Sequence, residues 1–180
     1  MVEFTSSSSG RLFLAIRPDP ETAERIHRLA NVLKRAHRLS GKPIAPDRLH
    51  VSLFSLTGLP DRQLYAACEA AAELRTVPFG VSFDRTASFR GRAGNRPFVL
   101  LGERGLHRLE SFRRALGAAL AHRGLRRLAN TSFAPHVSLL YDSRGVDEYP
   151  ALPVIWTVKE FVLIHSMKGH DCRMRWSLQA

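Results

Sequence analysis

Two histidines, His50 and His136, each begin the same tetrapeptide, His-Val-Ser-Leu, in opposite halves of the 180-residue chain. On a β-strand alternate side chains point to the same face, about 6.6 Å apart. If both tetrapeptides are strands, His50 shares a face with Ser52, and His136 shares a face with Ser138. Each half of the chain therefore offers one imidazole and one hydroxyl on the same side of a sheet.

Two such pairs that meet in one cleft suit chemistry at a phosphodiester. Imidazole has an ordinary pKa near 6.5, so one ring can be neutral while another is protonated at working pH. During hydrolysis of a 2′,3′-cyclic phosphate, one ring removes a proton from water and the other protonates the leaving ribose oxygen. The hydroxyls of Ser52 and Ser138 can hold the non-bridging oxygens, and this chemistry needs no metal.

Two alternatives compete with this interpretation. A single His-Val-Ser segment is usually structural, but its repetition in both halves argues against that reading for the pair. Zinc is the second alternative, yet the sequence has no HExxH motif, no His-x-His pair and no carboxylate on a motif face. His165 and His170 flank a turn and are interpreted as incidental. Four further histidines fall on predicted helices, as surface or boundary residues: His27, His37, His107 and His122.

The elements that must position the two motifs mix strands and helices irregularly, which favours an α+β fold. Strands are predicted over 11–16, 49–56, 79–83, 86–89, 98–102, 136–141, 154–166 and 172–178, and helices over 19–39, 61–75 and 106–122. Each motif strand follows a strand and a helix. This repeat predicts two pseudo-symmetric strand-helix-strand lobes, with antiparallel-rich sheets, that face one another across a central groove.

The charge of the chain is strongly basic, with 27 Lys and Arg residues against 16 Asp and Glu residues and a net charge of +11. Most of the basic residues are arginine, whose guanidinium group pairs with phosphate through two hydrogen bonds. A generally basic surface without a dedicated partner is the alternative. The charge thus favours RNA or a nucleotide as the partner without proving it.

Composition also limits the class of protein. No apolar run reaches the roughly 18 to 20 residues needed to cross a bilayer, and the N-terminus lacks the pattern of a secretion signal. We expect a flexible lead-in over residues 1–10 and one bilobal domain over residues 11–180. Cys68 and Cys172 are interpreted as reduced thiols. We therefore expect a cytoplasmic, monomeric protein without a cofactor.

Several strings of residues resemble a known family. They are Arg11-Leu-Phe-Leu-Ala-Ile16, Asp47-Arg-Leu-His-Val-Ser-Leu53, Phe133-Ala-Pro-His-Val-Ser-Leu139, Trp156-Thr-Val-Lys-Glu-Phe-Val-Leu-Ile-His-Ser166 and Arg175-Trp-Ser-Leu178. Over residues 11–178 the chain resembles the two-histidine phosphoesterase superfamily, in particular the bacterial 2′-5′ RNA ligase-like, RNA 2′,3′-cyclic phosphodiesterase branch. The resemblance implies a bilobal α+β fold and metal-independent hydrolysis of RNA 2′,3′-cyclic phosphate ends to 2′-phosphates. Some relatives also join RNA through 2′-5′ linkages.

The resemblance also implies roles for individual residues. His50 corresponds to the proton donor and His136 to the proton acceptor, while Ser52 and Ser138 occupy the positions of phosphate-binding threonines. A serine keeps the hydroxyl but lacks the methyl group that stiffens the threonine rotamer. Tyr141 stands five residues after His136, where relatives that process RNA often carry arginine.

Tyr141 therefore keeps a second substrate class open, small cyclic nucleotides such as ADP-ribose cyclic phosphate. A phenol can donate a hydrogen bond to a phosphate oxygen but cannot neutralise its charge. Phe54 shares a face with His50 if the strand alternates regularly, so it either stacks on a base or belongs to the core. A non-catalytic module that binds RNA or a nucleotide is the remaining alternative.

Overall fold

A computed structural model describes residues 10–92, 94–167 and 169–179, so residues 1–9 of the predicted lead-in lie outside the described residues. None of the helices in these ranges is long and apolar enough to traverse a bilayer. The elements are β1 (Arg11–Ile16), α1 (Pro20–Ala36), a 3₁₀ turn (Pro46–Arg48), β2 (Val51–Ser55), α2 (Asp61–Glu73), β3 (Phe79–Ser88), β4 (Arg96–Leu101), α3 (His107–His122), α4 (Arg126–Ala129), β5 (Val137–Asp142), β6 (Tyr149–Val158), β7 (Glu160–Ser166) and β8 (His170–Ser177).

The strands of the described residues form two four-stranded antiparallel sheets, ordered β2-β1-β7-β8 and β5-β4-β3-β6. The motif strands β2 and β5 are both edge strands. Each pairs with the strand that precedes the long helix of its lobe, β1 before α1 and β4 before α3. The predicted α+β fold with two pseudo-symmetric lobes is confirmed.

Each motif strand carries a β-bulge at the leucine of its tetrapeptide. In β2, Ser52 and Phe54 pair with successive residues of β1, which leaves Leu53 without a partner. The corresponding shift between β4 and β5 leaves Leu139 unpaired. A bulge inserts one extra residue, so side-chain alternation is reset beyond it. Ser52 and Ser55 are consequently both exposed, whereas the two residues between them are both buried.

One apolar core joins the two lobes. Helix α1 carries its apolar residues on one stripe and packs near β5 and β6 of the second sheet. Helix α3 reaches both sheets, because the Phe112 ring lies 5.3 Å from Phe79 in β3 and 5.3 Å from Phe161 in β7. The helices therefore hold the two sheets in a fixed relation, which is what a site shared between them requires.

Three predicted strand segments are divided differently in the structure. Segments 79–83 and 86–89 are parts of one strand, β3, whose pairing with β6 shifts between Phe83 and Arg85. Segment 154–166 is divided at Lys159 between β6 and β7. Strand β6 also begins earlier and includes Pro150 and Pro153. It lies at the edge of its sheet, where a missing amide proton breaks no ladder.

Candidate active site

A cleft of about 550 Å³ contains the side chains of both motifs. His50 and Ser52 contribute from the first lobe, and His136 and Ser138 contribute from the second. Tyr141 also lines the cleft, with 42% of its surface exposed. The fold thus brings together side chains that the sequence places in opposite halves of the chain.

Both motif imidazoles are held through the same ring atom in the same way. Nδ1 of His50 lies 2.8 Å from the carbonyl oxygen of Arg48, and Nδ1 of His136 lies 2.7 Å from that of Ala134. A carbonyl oxygen only accepts, so Nδ1 carries the proton and donates in both rings. Nε2 is therefore the nitrogen that can exchange a proton with a ligand.

Aromatic neighbours fix the planes of the two rings. The ring centroid of His50 lies 4.9 Å from that of Phe13 and 5.0 Å from that of His170, which it meets edge to face at 85°. The ring of His136 meets Phe89 at 4.9 Å and 71°. Each imidazole is thus restrained by a backbone hydrogen bond and by a packed aromatic side chain, which leaves little freedom for the ring to rotate.

The cleft favours the neutral form of His50. The pKa of His50 is lowered to about 4, chiefly by burial and then by the nearby positive charges of His170, His136 and Arg11, against a backbone hydrogen bond at Arg48 that raises it. A cationic imidazole would lose hydration and face like charges. His50 is consequently neutral at pH 7.

The bulge in β2 decides between the two placements predicted for Phe54, toward the cleft or in the core. Regular alternation would turn this ring toward the cleft with Ser52, but the extra residue Leu53 reverses the order. Phe54 is 2% exposed and lies in the core, which is the second of the two placements that the sequence left open. Ser55 lines the cleft instead, and the bulge in β5 places Tyr141 equivalently in the second lobe.

A buried arginine on α3 connects the two motif segments. Nε of Arg113 donates to the carbonyl oxygen of Leu53, the bulge residue of the first motif, at 3.2 Å. One terminal nitrogen donates to the carbonyl and hydroxyl oxygens of Thr131, which precedes the second motif, at 2.9 and 2.7 Å. The guanidinium lies over Phe54 and Phe133. Arg113 therefore braces one motif against the other.

A buried carboxylate at the end of β5 anchors the loop that enters the cleft. Asp142 is 3% exposed and accepts backbone amide protons from Arg144, Gly41 and Ser40 at 2.9, 2.7 and 2.6 Å. These hydrogen bonds stabilise the ionised form and hold the pKa of Asp142 well below its usual range. Because residues 40 and 41 follow α1, Asp142 ties the first lobe to the motif strand of the second.

The anchored loop then runs alongside that motif strand. The amide of Ile44 donates to the carbonyl oxygen of Leu139, the bulge residue of β5, at 2.8 Å. Lys42, Pro43 and Ile44 line the cleft as a result. A Cβ atom on Gly41 would lie 2.0 Å from the carbonyl oxygen of Tyr141, so only glycine fits this close approach of two backbones.

Basic groups surround the motif side chains. Arg11, Lys42 and Arg48 line the cleft, and the described residues place no aspartate or glutamate in its lining. His170, interpreted from sequence as incidental, also lines it. Sequence reasoning did not place these four residues in the cleft, because strand pairing and a loop bring them there. The cleft is therefore suited to an anionic ligand.

Metal ligands and thiols are the other side chains that could support chemistry. Within the described ranges, no group of three or more His, Cys, Asp and Glu side chains is arranged to hold a metal ion. Burial raises the pKa of the Cys68 thiol to about 11, so this thiol is not a nucleophile at neutral pH. Cys172 is also a free thiol.

Solved structures of similar fold cover nearly the whole chain. The crystal structure of E. coli LigT complexed with 3′-AMP is 26% identical, with a TM-score of 0.72, over 95% of this chain and 99% of LigT. A crystal structure of a phosphoesterase is 25% identical, with a TM-score of 0.72, over 95% and 99% of the two chains. TT0787 of Thermus thermophilus shares the fold at 23% identity, with a TM-score of 0.70, over 93% and 97%.

Sequence comparison assigns the family. The search of curated protein sequences gave no significant match. The family model of the 2′-5′ RNA ligase superfamily matches residues 18–170, a span that includes both His-Val-Ser-Leu motifs. Together with the two-lobed fold, this match shows that the chain belongs to the 2′-5′ RNA ligase superfamily of two-histidine phosphoesterases.

Proposed function

We propose that this chain hydrolyses the 2′,3′-cyclic phosphate at RNA or oligonucleotide ends to a 2′-phosphate, without a metal, by using His50 and His136 as acid and base. The observation that carries the proposal is the single cleft in which both imidazoles are held through Nδ1, so that each offers Nε2. Crystals of the related LigT with 3′-AMP and with phosphate support a nucleotide ligand.

The reaction is an in-line displacement at phosphorus. Nε2 of His136 removes a proton from water as the water oxygen bonds to phosphorus. The bond between phosphorus and O3′ breaks, and O3′ takes a proton from Nε2 of His50. The products are a 2′-phosphate and a free 3′-hydroxyl, and one proton has moved from His50 to O3′ and one from water to His136.

The serines and the charge of the cleft stabilise the transition state. The hydroxyls of Ser52 and Ser138 donate to the non-bridging oxygens, where negative charge must be held. The acid role requires a protonated His50, which burial and the nearby positive charges disfavour. A bound phosphate monoanion offsets the surrounding positive charge and raises the pKa of His50. Substrate binding thus favours the protonated form of His50 that the reaction requires.

The test is turnover of adenosine 2′,3′-cyclic phosphate in EDTA, followed by phosphorus NMR. His50→Asn and His136→Asn each lower kcat/KM by about 10²- to 10⁴-fold, while the matched control His122→Asn, on the exposed surface of α3, retains full activity. Circular dichroism of each variant shows whether the fold is intact. Loss of turnover in EDTA, or full activity in either motif variant, contradicts the proposed mechanism.

A second candidate substrate is suggested by Tyr141, whose phenol lies in the cleft. The same assay with ADP-ribose cyclic phosphate compares the two classes by kcat/KM. If kcat/KM is higher for this small nucleotide than for an oligonucleotide with a 2′,3′-cyclic phosphate end, the small nucleotide is the better candidate for the substrate. Salt-sensitive RNA binding that both asparagine variants retain, without turnover of either substrate, identifies a binding module instead.

A further inference from the structure

A third imidazole lies beside the proposed acid and base pair. His170, the first residue of β8, lines the cleft with its ring 5.0 Å from that of His50. Its backbone pairs with Ser166 of β7, which in turn pairs with Arg11 of β1. Residues opposite one another in adjacent strands share a face, so His170 and Arg11 lie in one row across the sheet.

Arg48 brings a second guanidinium to the same end of the cleft. Its backbone is fixed, because its carbonyl oxygen accepts the proton of His50 Nδ1, while its side chain is exposed and lines the cleft. The pKa of His170 is lowered by burial and then by the positive charges of Arg48, Arg11 and Arg17, against a backbone hydrogen bond at Arg48 that raises it.

Among the residues that the structure describes, the two guanidinium groups have no acidic partner. The ion pairs formed within the described residues include neither Arg11 nor Arg48. Like charges that gather without a counter-charge destabilise a fold, so such a cluster indicates a site for an anion. The serines of the two motifs already serve the reacting phosphate, whereas these groups lie on the first lobe alone, beside His50.

We infer that Arg11, Arg48 and His170 form a second phosphate subsite, so that preferred substrates carry a further phosphate group besides the cyclic one. This inference rests on the proposed function for the reacting phosphate. Guanidinium groups bind phosphate through paired, charge-assisted hydrogen bonds. The further phosphate has two possible chemical sources, a terminal 5′-phosphate on a small nucleotide or the internucleotide phosphodiester of an RNA strand.

Calorimetric binding to the full chain at low salt tests the subsite. The probes are adenosine 2′-phosphate, adenosine 2′,5′-bisphosphate and adenylyl-(3′→5′)-adenosine 2′-phosphate. At least one probe with a second phosphate is expected to bind about 10- to 100-fold more tightly than adenosine 2′-phosphate. Tighter binding of the bisphosphate than of adenosine 2′-phosphate shows that the subsite binds a terminal phosphate. Tighter binding of the dinucleotide alone shows that it binds an internucleotide phosphodiester.

Arg48→Gln is expected to bring this affinity ratio close to one, while the matched control Arg25→Gln, exposed on α1, keeps it. Equal affinities of the unmodified chain for all three probes would show that there is no second phosphate subsite. So would an Arg48→Gln variant that weakens all three probes equally, since Arg48 then serves the reacting phosphate. Turnover of adenosine 2′,3′-cyclic phosphate is measured separately. Absence of turnover refutes the proposed function, while the affinity ratio still shows whether the subsite exists.

Discussion

The titration of His50 offers a quantitative test of the proposed acid. Burial and neighbouring positive charges lower its pKa to about 4, so at pH 7 only about one ring in a thousand is protonated in the empty cleft. An anion in contact with a cationic ring raises its pKa by about 1 to 3 units. Saturation with adenosine 2′-phosphate then raises the protonated fraction to between about one in a hundred and one in two.

Nitrogen NMR of the histidine rings measures this change directly. The spectrum of the free protein should show His50 as the neutral Nδ1–H tautomer down to about pH 5, with protonation centred on about 4. The His50→Asn variant assigns the resonance. A free-protein pKa near 6.5 refutes the desolvation argument, and a pKa that the ligand leaves unchanged refutes the acid role of this ring.

The lowered pKa of His50 also makes the free energy of unfolding depend on pH. Above pH 6.5 the ring is neutral in the folded and unfolded chains and contributes no pH dependence. As pH falls from 6.5 toward about 4, the unfolded chain binds the proton more readily, so the free energy of unfolding decreases. The loss attributable to His50 is at most about 3 kcal/mol and is complete below the folded pKa. His50→Asn should remove this part of the pH dependence in urea denaturation.

Two further predictions concern the groups that hold the motifs in place. Arg113→Met leaves the carbonyl oxygens of Leu53 and Thr131 without their hydrogen-bond donor. We therefore expect urea denaturation to show a free energy of unfolding lower by about 1–3 kcal/mol. We also expect kcat to fall more than it does in a core variant that is destabilised by the same amount. Unchanged kcat would refute the bracing role. Gly41→Ala places a Cβ atom against the carbonyl oxygen of Tyr141 and should lower the free energy of unfolding by about 1–3 kcal/mol. A variant with wild-type stability and activity would show that the loop is not held tightly against β5.

The motif side chains that meet in the cleft could be predicted from sequence because they belong to one local, repeated tetrapeptide. Alternation along an extended chain predicts that His and Ser of one tetrapeptide point the same way. In the structure both side chains line the cleft, although each histidine directly precedes its strand. The doubled strand-helix-strand order likewise predicts two lobes, since each copy of the motif must be presented by equivalent elements. Helix positions followed from apolar periodicity, and their ends moved by a few residues, as helix ends commonly do.

Features that depend on pairing between distant strands could not be predicted in this way. The orientation of Phe54 is set by a bulge that exists only in the register between β1 and β2. His170 reaches the cleft because β8 pairs with β7 and β7 with β1. Arg113 looks like an ordinary helical arginine in the sequence, and only the packed fold surrounds it with two motif segments.

In the proposed mechanism two imidazoles, one from each lobe, act on one phosphorus atom. A crystal structure of the chain with adenosine 2′-phosphate tests it most directly. We expect one phosphate group between His50 and His136, with an oxygen atom about 2.6–3.2 Å from Nε2 of each ring and others accepting from Ser52 and Ser138. A phosphate that contacts only one of the two rings, or that binds outside this cleft, would contradict the account.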